Sequence, residues 1–356
     1  MPLLLSNDEV TRVLSMADCM EPMETAFREL GNGQAVTRPR SDLVVPQADP
    51  ARHYLLKTCD AALPGVGLSA VRITSNMMQE FQGKESRRLD PLPLAGGGKG
   101  YVGLVLLFDI QTLELAGILH DARIQVMRAG AAHGIAAKYL AREDAAVMGI
   151  LGSGNQAREQ LSAVALVRRL RRVKVYSPTQ ANRERFVREM SDRLGIEVVG
   201  CSSVREVVQG SDIVAATTTS LVPVFPGEWL EAGQHVTAVR ATEMDDVARA
   251  RAAILVLQSA EQSQLWIPSA ATEQGSWYQA RNRERDTRRL AFLPDIVAGR
   301  HPGRTAADQI TLLGGYASFG PGTGYSALGA IALKRARERG LGRELPAEWF
   351  VQKESS

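Results

Sequence analysis

Apolar and polar residues follow two different patterns along the chain, and the change falls near residue 125. Before that point, the spacing predicts an amphipathic helix over residues 6–30, which begins at a Ser-Asn-Asp cap. Extended segments then follow one another between Gly- and Pro-rich turns, at residues 41–46, 53–58, 70–75 and 103–109. Strands in succession, without regular helices between them, predict a mixed or antiparallel sheet with its own core.

After residue 125, short apolar strands alternate regularly with helices. The predicted helices cover residues 126–140, 155–170, 180–194 and 204–209, and the predicted strands cover residues 145–151, 173–176, 197–199, 213–216, 235–239 and 253–256. This alternation predicts a parallel, doubly wound sheet. A last helix, over residues 329–339, is expected to return to the first domain.

Composition narrows the class of protein. The 356 residues suit two domains, and 42 Lys+Arg against 39 Asp+Glu give a net charge of +3 with the two signs interspersed. That distribution offers no electrostatic footprint for nucleic acid, and the apolar stretches fall short of the roughly 20 residues that a membrane span needs. The N-terminus has a leucine run without a basic region, so no secretory signal is expected.

Cysteine and histidine give no sign of a disulfide framework or a metal site. Cys19, Cys59 and Cys201 lie far apart and form no CxxC pair. The histidines show no metal-ligand spacing. We therefore expect buried thiols in a reducing cytoplasm, and no metal.

The clearest chemical signal is a strand that runs directly into glycines and then a helix. Strand 145–151 leads into Gly152-Ser-Gly-Asn-Gln-Ala157, which fits the pattern G-x-G-x-x-A in its strand–turn–helix context. Gly152 permits the tight turn, Gly154 lets the backbone approach a pyrophosphate, and Ala157 allows close packing of helix on strand. We predict a nicotinamide dinucleotide site, with a plain structural turn as the alternative. Its residues would be Gly152, Ser153, Gly154, Asn155 and Gln156.

The end of the next strand bears on the choice between NAD(H) and NADP(H). An Asp or Glu there commonly binds the ribose 2′-hydroxyl of NAD, whereas this chain has Ser177, then Thr179 and, slightly later, Arg183. Hydroxyl groups and an arginine can bind a 2′-phosphate that a carboxylate would repel. These residues favour NADP(H). If Arg183 is an ordinary exposed helix residue, either cofactor binds.

Short motifs spread over nearly the whole chain become specific in combination. They are Arg38-Pro-Arg40, Met127-Arg128-Ala-Gly-Ala-Ala, Ala137-Lys-Tyr-Leu140, Gly152-Ser-Gly-Asn-Gln-Ala157, Ser211-Asp-Ile-Val-Ala-Ala-Thr217, Gly233-Gln-His-Val-Thr-Ala-Val239, Gly303-Arg-Thr, Gln309-Ile-Thr-Leu, Arg337-Glu-Arg-Gly-Leu-Gly342 and Trp349-Phe350. In this combination the chain resembles the ornithine cyclodeaminase/mu-crystallin family. The resemblance implies a homodimer in which a Rossmann domain is inserted into a substrate-binding and dimerisation domain.

The expected fold class is therefore α/β, with two parts. Residues 126–317 are expected to form a Rossmann-type, doubly wound parallel sheet domain that binds NAD(P). Residues 1–125 and 318–356 are expected to form an α+β substrate-binding and dimerisation domain, built from the N-terminal part and the C-terminal helix.

The resemblance also implies a chemistry and a carboxylate site. The family exchanges hydride between nicotinamide and the carbon that bears an amino or imino nitrogen next to a carboxylate. By resemblance, Arg128 and Arg40 bind that carboxylate, and guanidinium groups suit the task because they bind bidentately and keep their charge. For each arginine, the alternative is a purely structural role.

Two positions depart from the cyclodeaminases of the family. Arg72 stands where those enzymes have a catalytic lysine, and an arginine is a poor general acid or base because it stays protonated. Thr242, followed by Glu243, stands where they have an aspartate, and a threonine cannot easily assist deprotonation of an ammonium group. Lys57 is a candidate proton donor if desolvation lowers its pKa, and a solvated strand-edge lysine otherwise.

Further expectations concern the nicotinamide side. Thr217 and Thr218 end a predicted strand where hydroxyls and backbone amides can meet the cofactor, and Val239 ends a segment that the resemblance places beside it. The glycine-rich stretch 314–324 is expected either to close over the nicotinamide or to act as a hinge. His120 and Asp121 are expected to cap the helix that carries Arg128 rather than to act in catalysis.

Together these features predict an NAD(P)(H)-dependent oxidoreductase that exchanges hydride at the α-carbon of an α-imino or α-amino acid. It would be an imine reductase or an amino-acid dehydrogenase, and an opine-like dehydrogenase is a variant of the same class. One alternative is a cyclodeaminase-type lyase that converts ornithine to proline and ammonia with NAD as an internal carrier. Another is a non-catalytic protein that binds NADPH or another small ligand. The expected partners are a small molecule with an α-carboxylate and a second copy of the chain, with no nucleic acid or membrane.

Overall fold

The computed structural model describes residues 1–83, 86–94, 101–261, 263–268, 289–314 and 320–352. The helices are α1 (Asn7–Val13), α2 (Met16–Gly31), α3 (Asp121–Leu140), α4 (Asn155–Val167), α5 (Gln180–Leu194), α6 (Val204–Val208), α7 (Asp246–Arg251), α8 (Leu293–Val297) and α9 (Thr323–Glu338). The strands are β1 (Leu3–Leu5), β2 (Val36–Thr37), β3 (Ser41–Pro46), β4 (Arg52–Leu63), β5 (Leu68–Gln82), β6 (Arg87–Pro91), β7 (Val102–Asp109), β8 (Leu115–His120), β9 (Val147–Leu151), β10 (Arg172–Tyr176), β11 (Glu197–Gly200), β12 (Ile213–Ala216), β13 (His235–Ala238), β14 (Ile254–Leu257), β15 (Gln264–Trp266), β16 (Leu290–Phe292), β17 (Thr311–Leu313) and β18 (Arg343–Glu344).

The first sheet is mixed, as the sequence predicts. Within the described residues it has ten strands in the order β15-β3-β4-β5-β7-β8-β1-β18, with β2 beside β4 and β6 beside β5. Most neighbours are antiparallel, while β1 runs parallel to β8 and β15 runs parallel to β3. Side chains alternate between the two faces of a strand, and the buried positions Leu55, Cys59 and Ala61 show which face of β4 points to the core.

The single helix predicted over residues 6–30 is wrong, because the structure has two helices there. α1 ends at Val13, and α2 begins with its own cap, in which the Ser15 hydroxyl accepts from the Asp18 N–H and the Asp18 carboxylate accepts from the Ser15 N–H. This reciprocal capping satisfies two N–H groups that a helix start leaves unpaired. Both helices still place apolar side chains, such as Val10 and Met23, in one core.

The second sheet confirms the predicted doubly wound fold. Its eight described strands are all parallel, in the order β11-β10-β9-β12-β13-β17-β14-β16. Helix α5 has the predicted ends, whereas α3 begins at Asp121, earlier than predicted, because the His120 ring accepts from the Ala122 N–H and caps it. The strand order reverses at β9, which lies between β10 and β12, and in open parallel sheets such a switch point leaves a crevice at the carboxyl ends of the strands.

Helix α3 connects the two sheets. It contacts β7 of the first sheet and β13 and β17 of the second, and its residues Ile124 and Met127 belong to the core shared with α2 and α9. The predicted domain boundary at residues 125 and 126 falls inside this helix, and the domain limits stay a prediction. Among the described residues, no helix is long and apolar enough to cross a membrane.

Two further connections join the sheets beside the crevice. After β14 the chain crosses over so that β15 pairs with β3, and the Gln264 N–H donates to the Arg40 carbonyl at 2.8 Å. The loop after β12 pairs with β6, where the Leu89 N–H donates to the Thr219 carbonyl and the Leu221 N–H donates to the Arg87 carbonyl. The crevice is therefore bordered by elements from both sheets.

Candidate active site

The glycine turn after β9 has the geometry that a dinucleotide needs. Gly152 lies at φ 108°, where a side chain is strained, and a Cβ there would come within 2.7 Å of the Thr217 carbonyl oxygen. Gly154, the N-cap of α4, has an ordinary backbone conformation, and a Cβ there would meet only open space. Because the first N–H groups of α4 lie next to that space, a phosphate can approach them. The turn therefore fits the predicted pyrophosphate.

The other side chains of this turn face different surroundings. The Ser153 carbonyl accepts from Arg158 at 2.5 Å. Asn155 borders a cavity of about 580 Å³ that Tyr101 also lines. Gln156 borders a smaller cleft, and its Oε1 is buried without a hydrogen-bond partner among the residues that the structure describes. Gln156 thus has an acceptor that the protein itself leaves unused.

A positive group follows β10, as the sequence predicts. Arg183 donates through Nη1 to the Ser177 carbonyl at 2.7 Å, and its guanidinium lies 5.8 Å from the centre of the Tyr176 ring. Thr179 is the N-cap of α5 and makes no side-chain cap hydrogen bond. No Asp or Glu occurs among residues 177–183, and the first carboxylate after β10 is Glu184 on α5.

The cleft beside Gln156 lies at the carboxyl ends of β13, β14 and β17 and has a volume of about 140 Å³. Its lining residues are Arg40, Gln125, Arg128, Ala129, His133, Gln156, Ala238, Val239, Gln258, Leu313, Gly314 and Gly320. Four residues predicted for the site therefore meet here: Arg40, Arg128, Gln156 and Val239. Arg72, Lys57 and Thr242 are not part of this lining.

Arg128 is a cation whose charge is not balanced by a carboxylate in the described part of the chain. Its Nε and Nη2 donate to Oε1 of Gln125 at 3.0 and 2.8 Å, and the Tyr325 hydroxyl donates to the same oxygen. The guanidinium also lies 5.0 Å from the centre of the Tyr325 ring. These neutral partners orient Arg128 and leave its positive charge available to an anion.

Arg40 and Arg72, in contrast, each have a buried carboxylate partner. Arg40 donates to both oxygens of Asp42 at 2.7 Å, and Arg72 donates to Asp121 at 2.7 Å. Both aspartates are fully buried. Burial alone would lower the pKa of Arg72, but Tyr325 and Asp121 beside it raise this pKa above its usual range. Arg72 therefore keeps its proton, as its residue type already suggests.

Lys57 lies on the core-facing side of β4, directly opposite Asp42 on β3 and Thr74 on β5. Since β4 is an inner strand, Lys57 is not a strand-edge residue. Arg72 lies on the neighbouring strand β5 with the same orientation, because its cross-strand partner is the core-facing Cys59. With Asp42 and Thr74, the two basic residues thus form one polar strip on the core-facing side of β3, β4 and β5.

Thr242 and Glu243 hold loops together. The Thr242 hydroxyl donates to the Ser220 carbonyl at 2.8 Å. The Glu243 carboxylate is fully buried and accepts from the N–H and hydroxyl of Thr218 at 2.6 and 2.7 Å and from the Arg240 N–H at 2.8 Å. Burial raises the pKa of Glu243. These contacts connect the loops that follow β12 and β13.

The predicted threonines also donate within the protein. Thr217 donates to the Leu151 carbonyl at 2.8 Å and supports the glycine turn, while Thr218 donates to Glu243. Their hydroxyl protons are thus already used in hydrogen bonds. Of the glycine-rich stretch 314–324, residues 315–319 lie outside the described residues. Gly320 lies so close to Arg128 that a Cβ there would clash with Nη1.

Four residues around the cleft were not predicted as site residues: Asp121, Gln125, His133 and Tyr325. Gln125 lies one helical turn before Arg128, and that spacing was a usable signal. Tyr325 is 200 positions from Gln125 and Asp121 is 49 positions from Arg72, so nothing local connects them.

The described residues contain no group of three or more His, Cys, Asp or Glu that could hold a metal ion. Cys19, Cys59 and Cys201 are free and buried. Burial raises the pKa of Cys19 to about 12, so this thiol is inert at neutral pH.

Comparison with known proteins places this site in a family. The model of the ornithine cyclodeaminase/mu-crystallin family matches residues 95–320. The chain belongs to this family. An uncharacterized cyclodeaminase of Sinorhizobium fredii is 30% identical to it over 95% of this chain and 97% of that protein.

Solved structures extend the likeness over the whole fold. A Δ1-pyrroline-2-carboxylate reductase of Thermococcus litoralis, in complex with NADH and L-proline, is 30% identical, with a TM-score of 0.77 and coverage of 96% of this chain and 100% of that one. An archaeal alanine dehydrogenase dimer with bound NAD is 25% identical, with a TM-score of 0.78 and coverage of 97% and 99%. The predicted family, the Rossmann-type fold and the class of NAD(P)(H)-dependent oxidoreductase are confirmed.

Proposed function

We propose that this protein reduces an α-imino acid with a single carboxylate to the corresponding amino acid, using NADPH or NADH. The charge distribution of the cleft carries this proposal. Arg128 offers one unbalanced positive charge, whereas Arg40 and Arg72 are neutralised by Asp42 and Asp121. One such cation in the cleft lining suits one substrate carboxylate, and the described lining has no second arginine without a carboxylate partner for another, as in an opine.

The residues of the cleft position the substrate. The bound cofactor supplies the hydride. Arg128 binds the carboxylate, and because Gln125 and the Tyr325 ring orient its guanidinium, the neighbouring α-carbon is held at a fixed place. Val239 and Leu313 present apolar surface in the same cleft and limit the space for water.

The side chains that could accept or donate a proton favour reduction over cyclodeamination. A cyclodeaminase needs a base for the substrate ammonium group. Arg72 keeps its proton beside Asp121, and Thr242 donates to a backbone carbonyl. Lys57 remains our candidate proton donor to the imine nitrogen; because it lies outside the cleft lining, its proton would pass through a water or through the polar strip that it shares with Arg72.

We propose NADP(H) as the preferred cofactor. Arg183 lies over Tyr176 at the end of β10, where a 2′-phosphate would meet its guanidinium, and residues 177–182 before it include no Asp or Glu. The expected result is tighter binding of NADPH than of NADH, with the difference largely lost in Arg183→Ala. Equal affinities in the native protein would refute the preference.

We propose a homodimer formed through the outer face of the first sheet. On β5 and β7 this face carries the half-buried side chains Val71, Ile73, Leu104 and Leu106, an apolar surface that the described elements leave partly exposed. A second copy is the expected cover. Light scattering should give twice the chain mass, and Leu106→Asp should give a monomer.

The test of the function is a substrate panel with purified protein. Oxidation of NADPH or NADH is followed with a cyclic imino acid bearing one carboxylate, with an imino dicarboxylate, and with pairs of amino acid and keto acid. We expect turnover with the monocarboxylate alone. Ornithine with catalytic NAD is assayed in parallel, and proline plus ammonia without net cofactor use would establish the lyase instead. Tight NADPH binding without turnover would favour a binding protein.

A further inference from the structure

We propose that His133 is a cofactor-binding residue whose imidazole, together with the Gln156 side chain, binds the carboxamide of the nicotinamide ring. This inference rests on the proposed dinucleotide site. It assigns two side chains of this chain to the redox end of the cofactor, next to the carboxylate-binding Arg128.

The burial of His133 is the first observation. His133 lies on α3 little more than one turn beyond Arg128 and lines the same cleft. It is 3% exposed, and its Nδ1 is buried without a hydrogen-bond partner among the described residues. A buried polar atom left unpaired costs roughly 1–3 kcal/mol. In the wall of a binding cleft, such an atom indicates a ligand that completes it.

The charge state of His133 narrows the kind of ligand. Burial, and then the neighbouring Arg128, lower the pKa of His133 to about 3, so the ring is neutral at physiological pH. A neutral imidazole has one N–H donor and one acceptor nitrogen. It therefore suits a neutral polar group, and not the phosphate or carboxylate that a cation would bind.

Gln156 supplies the complementary group. Its Oε1 is buried and has no hydrogen-bond partner in the described part of the chain, and the residue lines the same cleft. A carboxamide has N–H donors and a carbonyl acceptor, so Gln156 can accept from its N–H while the His133 N–H donates to its oxygen. Ala238 and Leu313, also in the lining, offer apolar contact to a flat ring.

A buried water is the competing explanation. His235 and Thr237 lie on one face of β13, close enough that His133 influences the pKa of His235. His235 Nε2 and Thr237 Oγ1 are also buried without partners. A water shared with these groups would satisfy His133 without any cofactor. The two explanations differ in whether His133 senses the nicotinamide.

The experiment compares ligands with and without the nicotinamide group, in the full-length protein. Calorimetric titrations with the preferred reduced cofactor, with its 3-acetylpyridine analogue and with the matching ADP-ribose are made for the native protein, H133L and H133N. Leucine matches the ring in size without a hydrogen bond, and asparagine places an amide near the Nδ1 position. Thermal unfolding of each variant checks the fold, and H133S replaces H133L if that variant does not fold.

We expect H133L to bind the cofactor about tenfold more weakly, which is about 1.4 kcal/mol, and to bind ADP-ribose as the native protein does. H133N should recover most of the loss. The native protein should bind the acetylpyridine analogue, which lacks the amide N–H, more weakly than the cofactor, and H133L should narrow that difference. Equal losses for the cofactor and ADP-ribose, or no loss at all, would overturn the assignment. If the native protein binds no dinucleotide, the proposed function itself fails.

Discussion

The two walls of the cleft differ in how far the protein satisfies its own polar groups. On the side of the first sheet, Arg40 in the cleft lining and Arg72 outside it are already paired with buried aspartates. On the side of the second sheet, Gly154 has open space beside it, and Gln156 and His133 have buried polar atoms without a partner among the described residues. The first side is therefore set before a ligand arrives, while we expect a ligand to complete the second. We expect substrate choice to depend chiefly on Arg128, on the helix that contacts both sheets.

The largest expected effect is that of replacing Arg128. Arg128→Ala should lower kcat/KM roughly 10³-fold, because losing a charged partner of a buried carboxylate costs roughly 2–5 kcal/mol. The matched control is Arg337→Ala on α9, where the native guanidinium donates to the Ala116 carbonyl on β8 at 3.4 Å. Steady-state kinetics on the substrate of the panel measure both variants. A loss of less than tenfold in kcat/KM for Arg128→Ala would contradict its proposed role in binding the substrate carboxylate.

The second test concerns the buried ion pair of Arg72 and Asp121. Asp121→Asn leaves the buried Arg72 without a countercharge and should lower the free energy of unfolding by about 3 kcal/mol. The control is Asp60→Asn, whose partner Arg38 is 77% exposed, and which should cost about 0.5 kcal/mol or less. Urea denaturation compares the two variants. Equal losses would mean that burial of the pair adds nothing.

The third test compares two glycines of the turn after β9. Gly152→Ala introduces a Cβ at φ 108° and against the Thr217 carbonyl, and should destabilise the fold by about 2 kcal/mol. Gly154→Ala meets nothing in the protein, so stability should be unchanged while binding of NAD(P)H weakens. Thermal unfolding and cofactor titration are measured on both variants. If Gly154→Ala lowers stability and leaves cofactor binding unchanged, the turn has another role.

The smallest expected effect is a pH dependence of the free energy of unfolding that arises from His133. In the folded protein the pKa of His133 is lowered to about 3 from an ordinary value of 6.5. The unfolded chain therefore takes up a proton as the pH falls through 6.5 and the folded chain does not, so stability is lost below that pH. From pH 7.5 to 5.5 this group should contribute a loss of about 1.4 kcal/mol.

The measurement is the free energy of unfolding of cofactor-free protein at both pH values. His133→Gln cannot take up this proton, so its loss over the same interval should be smaller by that amount. Identical losses in the two proteins would contradict the assigned charge state.

The sequence predicts the second sheet better than the first because its signals are local. Helix α5 and the strand β12 have the predicted ends, since each is bounded by its own turn residues. The parallel pairing of β1 with β8 and the crossing of β15 to β3 depend on contacts between distant segments, and no periodicity encodes them.

The same reasoning explains the candidate site. Residues such as Arg128 and Gly152 can be identified from their sequence motifs, and both were predicted as site residues. The state of each arginine depends on a partner far away in the chain, as with Arg72 and Asp121. Sequence reasoning named Arg128 and Arg40 for the carboxylate and Arg72 as a further site residue, and the structure pairs Arg40 and Arg72 with aspartates but gives Arg128 only neutral partners among the described residues.

The crossing strand β15 also has a mechanical consequence. A hinge rotation of one sheet against the other would have to bend the continuous helix α3, separate β15 from β3, and break the bonds from Leu89 and Leu221 to their partners. The cleft should therefore keep a nearly constant width through the catalytic cycle. Small-angle scattering should give one radius of gyration with and without cofactor, and ligand exchange should be governed by passage along the edges of the cleft rather than by domain opening.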